Sequence, residues 1–184
     1  SNRELALPGT PYKASRTAGL CPTGIPLPGA DRSAIESLCG SGAYQSASAR
    51  IASPMPRPLA DVRVIEIGQY TTAPLVGRQL GALGAEVFKI EPPGGEGSRA
   101  WPPTQGNRGY FFAFSNSDKR SLELDLRNKG HRASFTALLK TADVLVENLK
   151  PGSLVRLGFG PRELLEINPR LVYCGISGFG ASSS

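Results

Sequence analysis

The sequence predicts an α/β fold: an open, mainly parallel, doubly wound sheet behind an irregular N-terminal arm. Three observations carry that expectation. Residues 61–93 read strand, helix, strand, at a length that closes economically as a parallel βαβ unit. Strand-like and helical stretches then alternate down the chain, the pattern of a layered α/β sheet. Residues 1–58 differ in kind, with Pro and Gly recurring too often for regular structure.

Residues 62–67 form an apolar run rich in β-branched side chains, which suit a buried strand. After a turn at Gly68, a helix is expected with Leu75, Val76, Leu80 and Leu83 near one face, ended by Gly84. Residues 86–90 supply the next strand. Residues 91–108 form a long Pro/Gly loop holding Trp101, and a loop of this length is often a binding feature. Tyr110, Phe111, Phe112 and Phe114 open a helix, with core packing as their plainest role. Residues 121–126 alternate Leu122, Leu124 and Leu126 with Glu123 and Asp125, a strand with one exposed face near a sheet edge or a cleft. Residues 129–140 read as a helix with Ala133, Leu138 and Leu139 inward, and 144–146 as a short buried strand. Short helices follow at 153–157 and 161–167, where Pro161 suits a first turn. The last strand is 171–176. In the arm, residues 31–38 form a helix with Asp31 as N-cap and Gly40 as stop, docked by Ile35 and Leu38. Residues 1–40 read equally as a tail or a packed arm, and 41–58 as a Pro/Ser/Ala linker before the lobe 59–184.

The 184 residues fit one domain with an appendage, and 40% hydrophobic content suffices for a core. No apolar run approaches the ~20 residues of a membrane span, and no secretory leader is visible. The net charge of +6 suits an anionic small ligand, and no basic run interleaves with aromatics as nucleic-acid binding would want. Cys21, Cys39 and Cys174 lack metal spacing and read as reduced thiols of a cytoplasmic protein. The chain begins without Met and stops just after a strand-like run, so a piece of a longer protein is expected.

In such a sheet ligands sit beyond the carboxyl ends of the strands, here 68–73, 91–97, 125–128, 147–150 and 177–180. A dinucleotide fingerprint is poorly met. The first turn, GQYTTAPLVG, offers Gly68 alone where G-x-G-x-x-G is needed, although Glu91 stands where an acidic residue would meet a ribose. No G-x-S-x-G occurs, and the single histidine, His131, reads as a surface residue at a helix start. Glu91, Asp125 and Glu147 are placed for acid–base work, but such residues are more often caps or ion-pair partners. No metal ligand set is visible.

Four strings in order change the reading: DVRVIEIGQYTTAP, GRQLGALGAEVFKIEPPGG, FSNSDKRSLELDLRNKGH and ADVLVENLKPGSLVRLGFGPRELLEINPRLVYCGISGFG. Together they resemble the N-terminal half of the class III coenzyme A transferase family, also called CaiB/BaiF, over residues 59–180. The resemblance implies a Rossmann-like large domain, a smaller domain, and two chains interlocked like rings. It implies coenzyme A or acyl-CoA as substrate, carboxylic acids as the other substrates, and no metal. Its CoA contacts fall on Thr71, Thr72, Leu124, Asn148, Leu149, Lys150 and Arg156. Lys150 and Arg156 would pair with phosphates, Asn148 would fix an amide or ribose, and Leu124 would lie beside the adenine. Two positions depart: Thr71-Thr72 stands where some members have Gln-Ala, and Pro92 where some have Arg.

The family's nucleophilic Asp lies beyond the SGFG string, and none of Asp61, Asp118, Asp125 or Asp143 matches it. The resemblance therefore implies no catalytic residue within these residues and an inactive fragment. LPGTPYKASRTAG and IPLPGADRSAIESLCG resemble the family's C-terminal end, which implies the joint of a tandem fusion. The partner would then be the rest of the polypeptide or a second copy. The activity implied is CoA transfer between carboxylic acids. A racemase acting on α-methylacyl-CoA and a non-catalytic nucleotide-binding module stand as alternatives.

Overall fold

The protein is described here from a computed structural model, which describes residues 27–41, 57–106 and 108–180. Residues 1–26 and 42–56, with Cys21, most of the expected linker and part of the expected arm, lie outside them.

Five strands form one sheet: β1 (Arg63–Ile67), β2 (Glu86–Glu91), β5 (Arg120–Glu123), β6 (Val144–Glu147) and β7 (Val172–Gly175). They lie in the order β5-β2-β1-β6-β7 and every neighbouring pair is parallel. Numbered within the sheet this is 3-2-1-4-5, the doubly wound, Rossmann-like order. The chain starts in the middle, builds outward one way, then returns across β1 to build the other way. The crossovers carry α2 (Thr72–Ala82), α3 (Tyr110–Asn116), α4 (Lys129–Leu139), α5 (Ser153–Arg156) and α6 (Pro161–Ile167).

Alternation along each strand splits the core in two. Ile65, Phe88, Leu122 and Leu145 point to one face with Phe135, Leu138, Leu139 and Leu164. Val64, Val87 and Val146 point to the other, under α2. Strands β1 and β2 are covered on both faces, so they are buried along their whole length, with the charged Arg63, Glu66, Glu86, Lys89 and Glu91 included. Each fully buried Leu, Ile or Phe contributes about 1.5–3 kcal/mol.

Several details differ from the sequence expectation. On α2 the buried face is Ala73, Pro74, Gly77, Arg78 and Gly81, while Leu75, Val76, Leu80 and Leu83 are half-exposed. The helix lies so close to the sheet that a Cβ on Gly77 would fall 2.2 Å from Glu66 Oε2. Small residues are needed where backbone meets a buried carboxylate. On α4, Ala133 is exposed and Phe135 takes the inward place, edge-on to Phe159 at 4.8 Å. The long loop is also partly regular, with a 3-10 turn at Gly97–Ala100 and a two-residue hairpin of β3 (Thr104–Gln105) and β4 (Arg108–Gly109).

Helix α1 (Arg32–Ser41) runs through Gly40, where a stop was expected. It lies against α4, and Ile35 is 1% exposed in the larger core. Ahead of it the chain runs along the outer edge of β5. Asp31 N donates to Ser121 O at 3.2 Å, and Ser121 N donates to Asp31 Oδ2 at 2.9 Å. Gly29 N donates to Ser121 Oγ, and Arg32 Nη2 donates to Glu123 O. The strand edge that alternation predicted is thus covered by residues 29–32. The side chain of Leu38 lies outside the described residues.

Candidate functional site

The strand order reverses between β1 and β6, so the connections that leave their carboxyl ends run to opposite sides and leave a crevice. Two segments meet there, the turn after β1 and the loop after β6. Asn148 joins them. Its Oδ1 accepts from Gln69 N at 2.8 Å, and its Nδ2 donates to Gln69 O and Thr72 Oγ1, each at 2.9 Å. The contact leaves no space for a side chain at Gly68, where a Cβ would lie 2.4 Å from Ala73 Cβ and 3.0 Å from Asn148 Oδ1.

Two hollows flank this bridge. The larger, about 490 Å³, is lined by Thr72, Asn148, Leu149, Lys150 and Pro151 with residues 176–180 of the loop after β7. The smaller, about 200 Å³, is mostly apolar and is walled by Ile67, Ile90, Leu124, Leu126, Leu149 and Leu157, with Asp125 and Arg127 among its lining. Leu149 belongs to both. The structure thus brings Thr72, Leu124, Asn148, Leu149 and Lys150 around one bridge. It does not bring in the other two expected residues. Thr71 and Arg156 line neither hollow, and Arg156 Nη2 donates to Ser153 Oγ at 2.9 Å.

Gln69 and Arg127 were missed by residue-level reasoning, although 68–73 and 125–128 were marked as strand ends. Arg127 is held by its own neighbour, with Nε donating to Asp125 Oδ1 at 2.8 Å. That hydrogen bond holds the Asp125 carboxyl below, and the Arg127 guanidinium above, its ordinary value.

The other candidates are structural. Glu91 is buried and receives Arg99 through two nitrogens at 2.8 and 2.6 Å, Ser121 Oγ at 2.8 Å and Glu96 N at 3.0 Å. Burial pushes its carboxyl up, but the bonds and charge of Arg99 outweigh that and hold it low. Such a carboxylate is not open to a ribose. Glu147 accepts from Tyr173 Oη and from Leu149 N, both at 2.7 Å, so it shapes the loop after β6. Burial, then the Glu147 carboxylate, pushes the Tyr173 hydroxyl up. His131 Nδ1 accepts from Asp125 N at 2.9 Å, pinning the turn after β5.

Beneath the β1–α2 turn four charged side chains are buried together. Lys89 Nζ lies 2.8 Å from Glu66 Oε1 and 2.8 Å from Glu96 Oε2, and Lys119 Nζ lies 2.6 Å from Glu66 Oε2. Burial pushes the Glu66 carboxyl up, and the Lys119 and Lys89 charges overrule it and hold it low. Burial pushes Lys89 down, and Glu66 and Glu96 together hold it high. Lys119 has one carboxylate partner, so burial wins and brings it down to about 8. Both ammonium groups also donate to backbone of the turn region, Lys89 to Gly68 O at 3.0 Å and Lys119 to Pro74 O at 2.7 Å.

Among the described residues no group of three or more His, Cys, Asp or Glu stands as a metal site, and no helix is long and apolar enough to cross a membrane. The arrangement suits a ligand with an apolar or aromatic end and anionic groups, an end for the smaller hollow and charge near Lys150 and Arg127.

Comparison with known proteins identifies the family. Residues 59–184 match the model of CoA-transferase family III. The acetyl-CoA:oxalate CoA-transferase of Acetobacter aceti is 43% identical over 124 residues, which is 67% of this chain and 32% of that protein. An acyl-CoA transferase of Fusarium pseudograminearum is 34% identical over 163 residues, covering 83% of this chain and 35% of that protein. A solved CAIB/BAIF family protein from Brucella suis superposes with a TM-score of 0.63 at 39% identity, over 69% of this chain and 35% of that one. The chain spans about a third of the length of these relatives. With the family model matched over residues 59–184 and the solved structure sharing the fold, the chain belongs to CoA-transferase family III.

Proposed function

We propose that residues 59–184 form the CoA-binding lobe of an enzyme that moves CoA between carboxylic acids. One observation carries the reading: Thr72, Asn148, Leu149 and Lys150 share the larger hollow at the switch point, and Leu149 and Leu124 share the apolar one beside it. In this reading the larger hollow takes the anionic groups and the smaller one takes a flat ring. The named relatives are CoA-transferases, which supports transfer over isomerisation. In this reading Lys150 meets phosphate, Leu124 and Leu149 hold the adenine, and the β1–α2 turn with Thr71 and Thr72 guides the remainder of the ligand. Asn148 acts chiefly by building the turn, because both of its N–H bonds are already made. Arg156 reaches phosphate by leaving Ser153. The reactive carboxylate comes from outside these residues, from the same polypeptide or a second copy, and the lobe alone is inactive. The setting is the cytoplasm, with acyl-CoA and free carboxylic acids as partners.

Calorimetric titration of this chain with CoA and with NADH tests the reading. Weak CoA binding without NADH binding is expected, and binding of NADH alone would overturn it. In a longer form that includes the downstream sequence, incubation with acyl-CoA should trap a covalent enzyme–CoA thioester on an Asp.

A further inference from the structure

The four buried charges do more than fill space, because they join two segments that the strand ladder leaves independent. Lys89 projects from β2 and divides its donors. One side reaches Gly68 O of the β1–α2 turn at 3.0 Å and Glu66 of β1 at 2.8 Å; the other reaches Glu96 at 2.8 Å. Glu96 opens the loop that continues to Trp101 and is itself 3% exposed. Its second oxygen accepts from Ser98 Oγ, and its backbone N donates to Glu91 at 3.0 Å. Two residues after Arg99, which Glu91 grips, Trp101 stacks on Tyr70 with ring centres 4.8 Å apart and planes 15° apart. Tyr70 sits in the turn itself, between Gln69 and Thr71, and holds a φ of +66°, a conformation a bulky side chain rarely adopts.

The charge balance makes the two contacts interdependent. Glu66, Glu96, Lys89 and Lys119 are all buried, and their formal charges sum to zero. If the loop withdraws Glu96, two ammonium groups remain with one carboxylate, Glu66. Uncompensated buried charge is strongly disfavoured, so the loop and the turn are held in register. Apolar side chains would fill the same volume with no such demand on register.

We propose that Glu96 is a positioning residue: through Lys89 it latches the loop 92–109 onto the β1–α2 turn, seats Trp101 on Tyr70 and so fixes the turn that receives CoA. The last step rests on the functional reading above. Trp101 is the single tryptophan of the chain, so its fluorescence reports the latch directly. Glu96→Gln removes the charge at constant shape. The expected result is a red-shifted Trp101 emission, greater quenching by acrylamide, unchanged far-ultraviolet circular dichroism, and CoA affinity weakened roughly tenfold, the scale on which lost supporting contacts act. Glu86→Gln is the control. It breaks a buried pair with Arg63, 3.3 Å long, at the opposite end of the strands, and it should leave Trp101 unmoved.

If Glu96→Gln does not fold, Ser98→Ala, which removes the hydroxyl donor to Glu96, carries the same readouts. A folded Glu96→Gln or Ser98→Ala protein with parental emission and quenching overturns the latch. So does a moved Trp101 with parental CoA affinity, since the latch would then position nothing the ligand uses. If the parent chain binds no CoA, the functional reading falls, and the Trp101 response alone decides whether Glu96 seats the loop.

Discussion

Asn148 and Gln69 hydrogen-bond each other in both directions, main chain N–H to Oδ1 at 2.8 Å and Nδ2 to main chain O at 2.9 Å. The pair sews the loop after β6 to the turn after β1 across the switch point. Asn148→Ala leaves both Gln69 groups and Thr72 without this partner. A loss of about 1–3 kcal/mol in unfolding free energy is expected, together with weaker CoA binding. Asn148→Asp keeps the acceptor and loses both donors, so it should remain damaged. Urea unfolding with parallel CoA titration checks this. Intact stability in Asn148→Ala would show that the bridge is incidental.

Lys150 and Arg156 should not be equal. Lys150 lines the larger hollow, whereas Arg156 lies outside it on Ser153. Lys150→Ala is expected to weaken CoA binding roughly tenfold, about 1.4 kcal/mol, and Arg156→Ala by less. Both losses should shrink as salt rises. The reverse ranking would mean that the guanidinium swings in when ligand arrives.

Two glycines on α2 make a paired test. At Gly77 a Cβ would fall 2.2 Å from Glu66 Oε2, whereas at Gly81 it meets Val87 Cγ2 at an ordinary 3.5 Å. Gly77→Ala should destabilise by about 3 kcal/mol, since it pushes on a buried ion network. Gly81→Ala should be neutral or stabilising by up to ~1 kcal/mol through helix propensity. Thermal melts of the two variants decide the point.

Acid should unfold the lobe through Glu66 and Glu91. Both carboxyls are held below their ordinary value of 4.5 in the fold. Their stabilisation is present above the unfolded value and is lost as pH falls through the lower folded values. Lys119 acts in the same sense but in a higher window, and as a burial penalty relieved when the proton leaves. It sheds its proton near 8 in the fold and at 10.5 when unfolded, so between those values raising pH favours the fold for this group. Melting temperature should fall steeply below about pH 4.5, and Glu91→Gln should flatten that slope. An unchanged acid slope in Glu91→Gln would remove Glu91 from the account.

Ile35 tests whether the arm belongs to the fold. It is 1% exposed among the core side chains. Ile35→Ala should cost about 2–5 kcal/mol, as for any core truncation. A tail that merely hangs from the lobe would give no change in a denaturant melt.

Much of the fold was legible because burial on both faces writes itself into a strand. The β1–α2–β2 stretch marked two parallel strands, and the alternation at 121–126 marked a strand near an edge or a cleft, without any partner being visible. The face of α2 was not legible. Periodicity marks apolar side chains, but this helix lies against the sheet through Gly77, over the Glu66 carboxylate, and a glycine carries no hydropathic signal. Phe135 was overlooked beside Ala133 because both fall within one turn of α4. At the site, the strand ends and the family strings located Asn148, Leu149 and Lys150. Nothing in the string revealed that Asn148 would be bonded to Gln69, since that contact spans 79 residues. The pairing of Lys89 with Glu96 was hidden likewise, because a charged residue inside an apolar strand reads as an interruption until its partner is seen.

The arm along β5 gives the sheet two unlike margins. Residues 29–32 seal one, while β7 carries Val172 at 61% exposure and has no described strand beyond it. Backbone pairing at the β5 margin has to displace residues 29–32 first, so a strand offered to this sheet in trans should meet a barrier there that the same strand would not meet at β7.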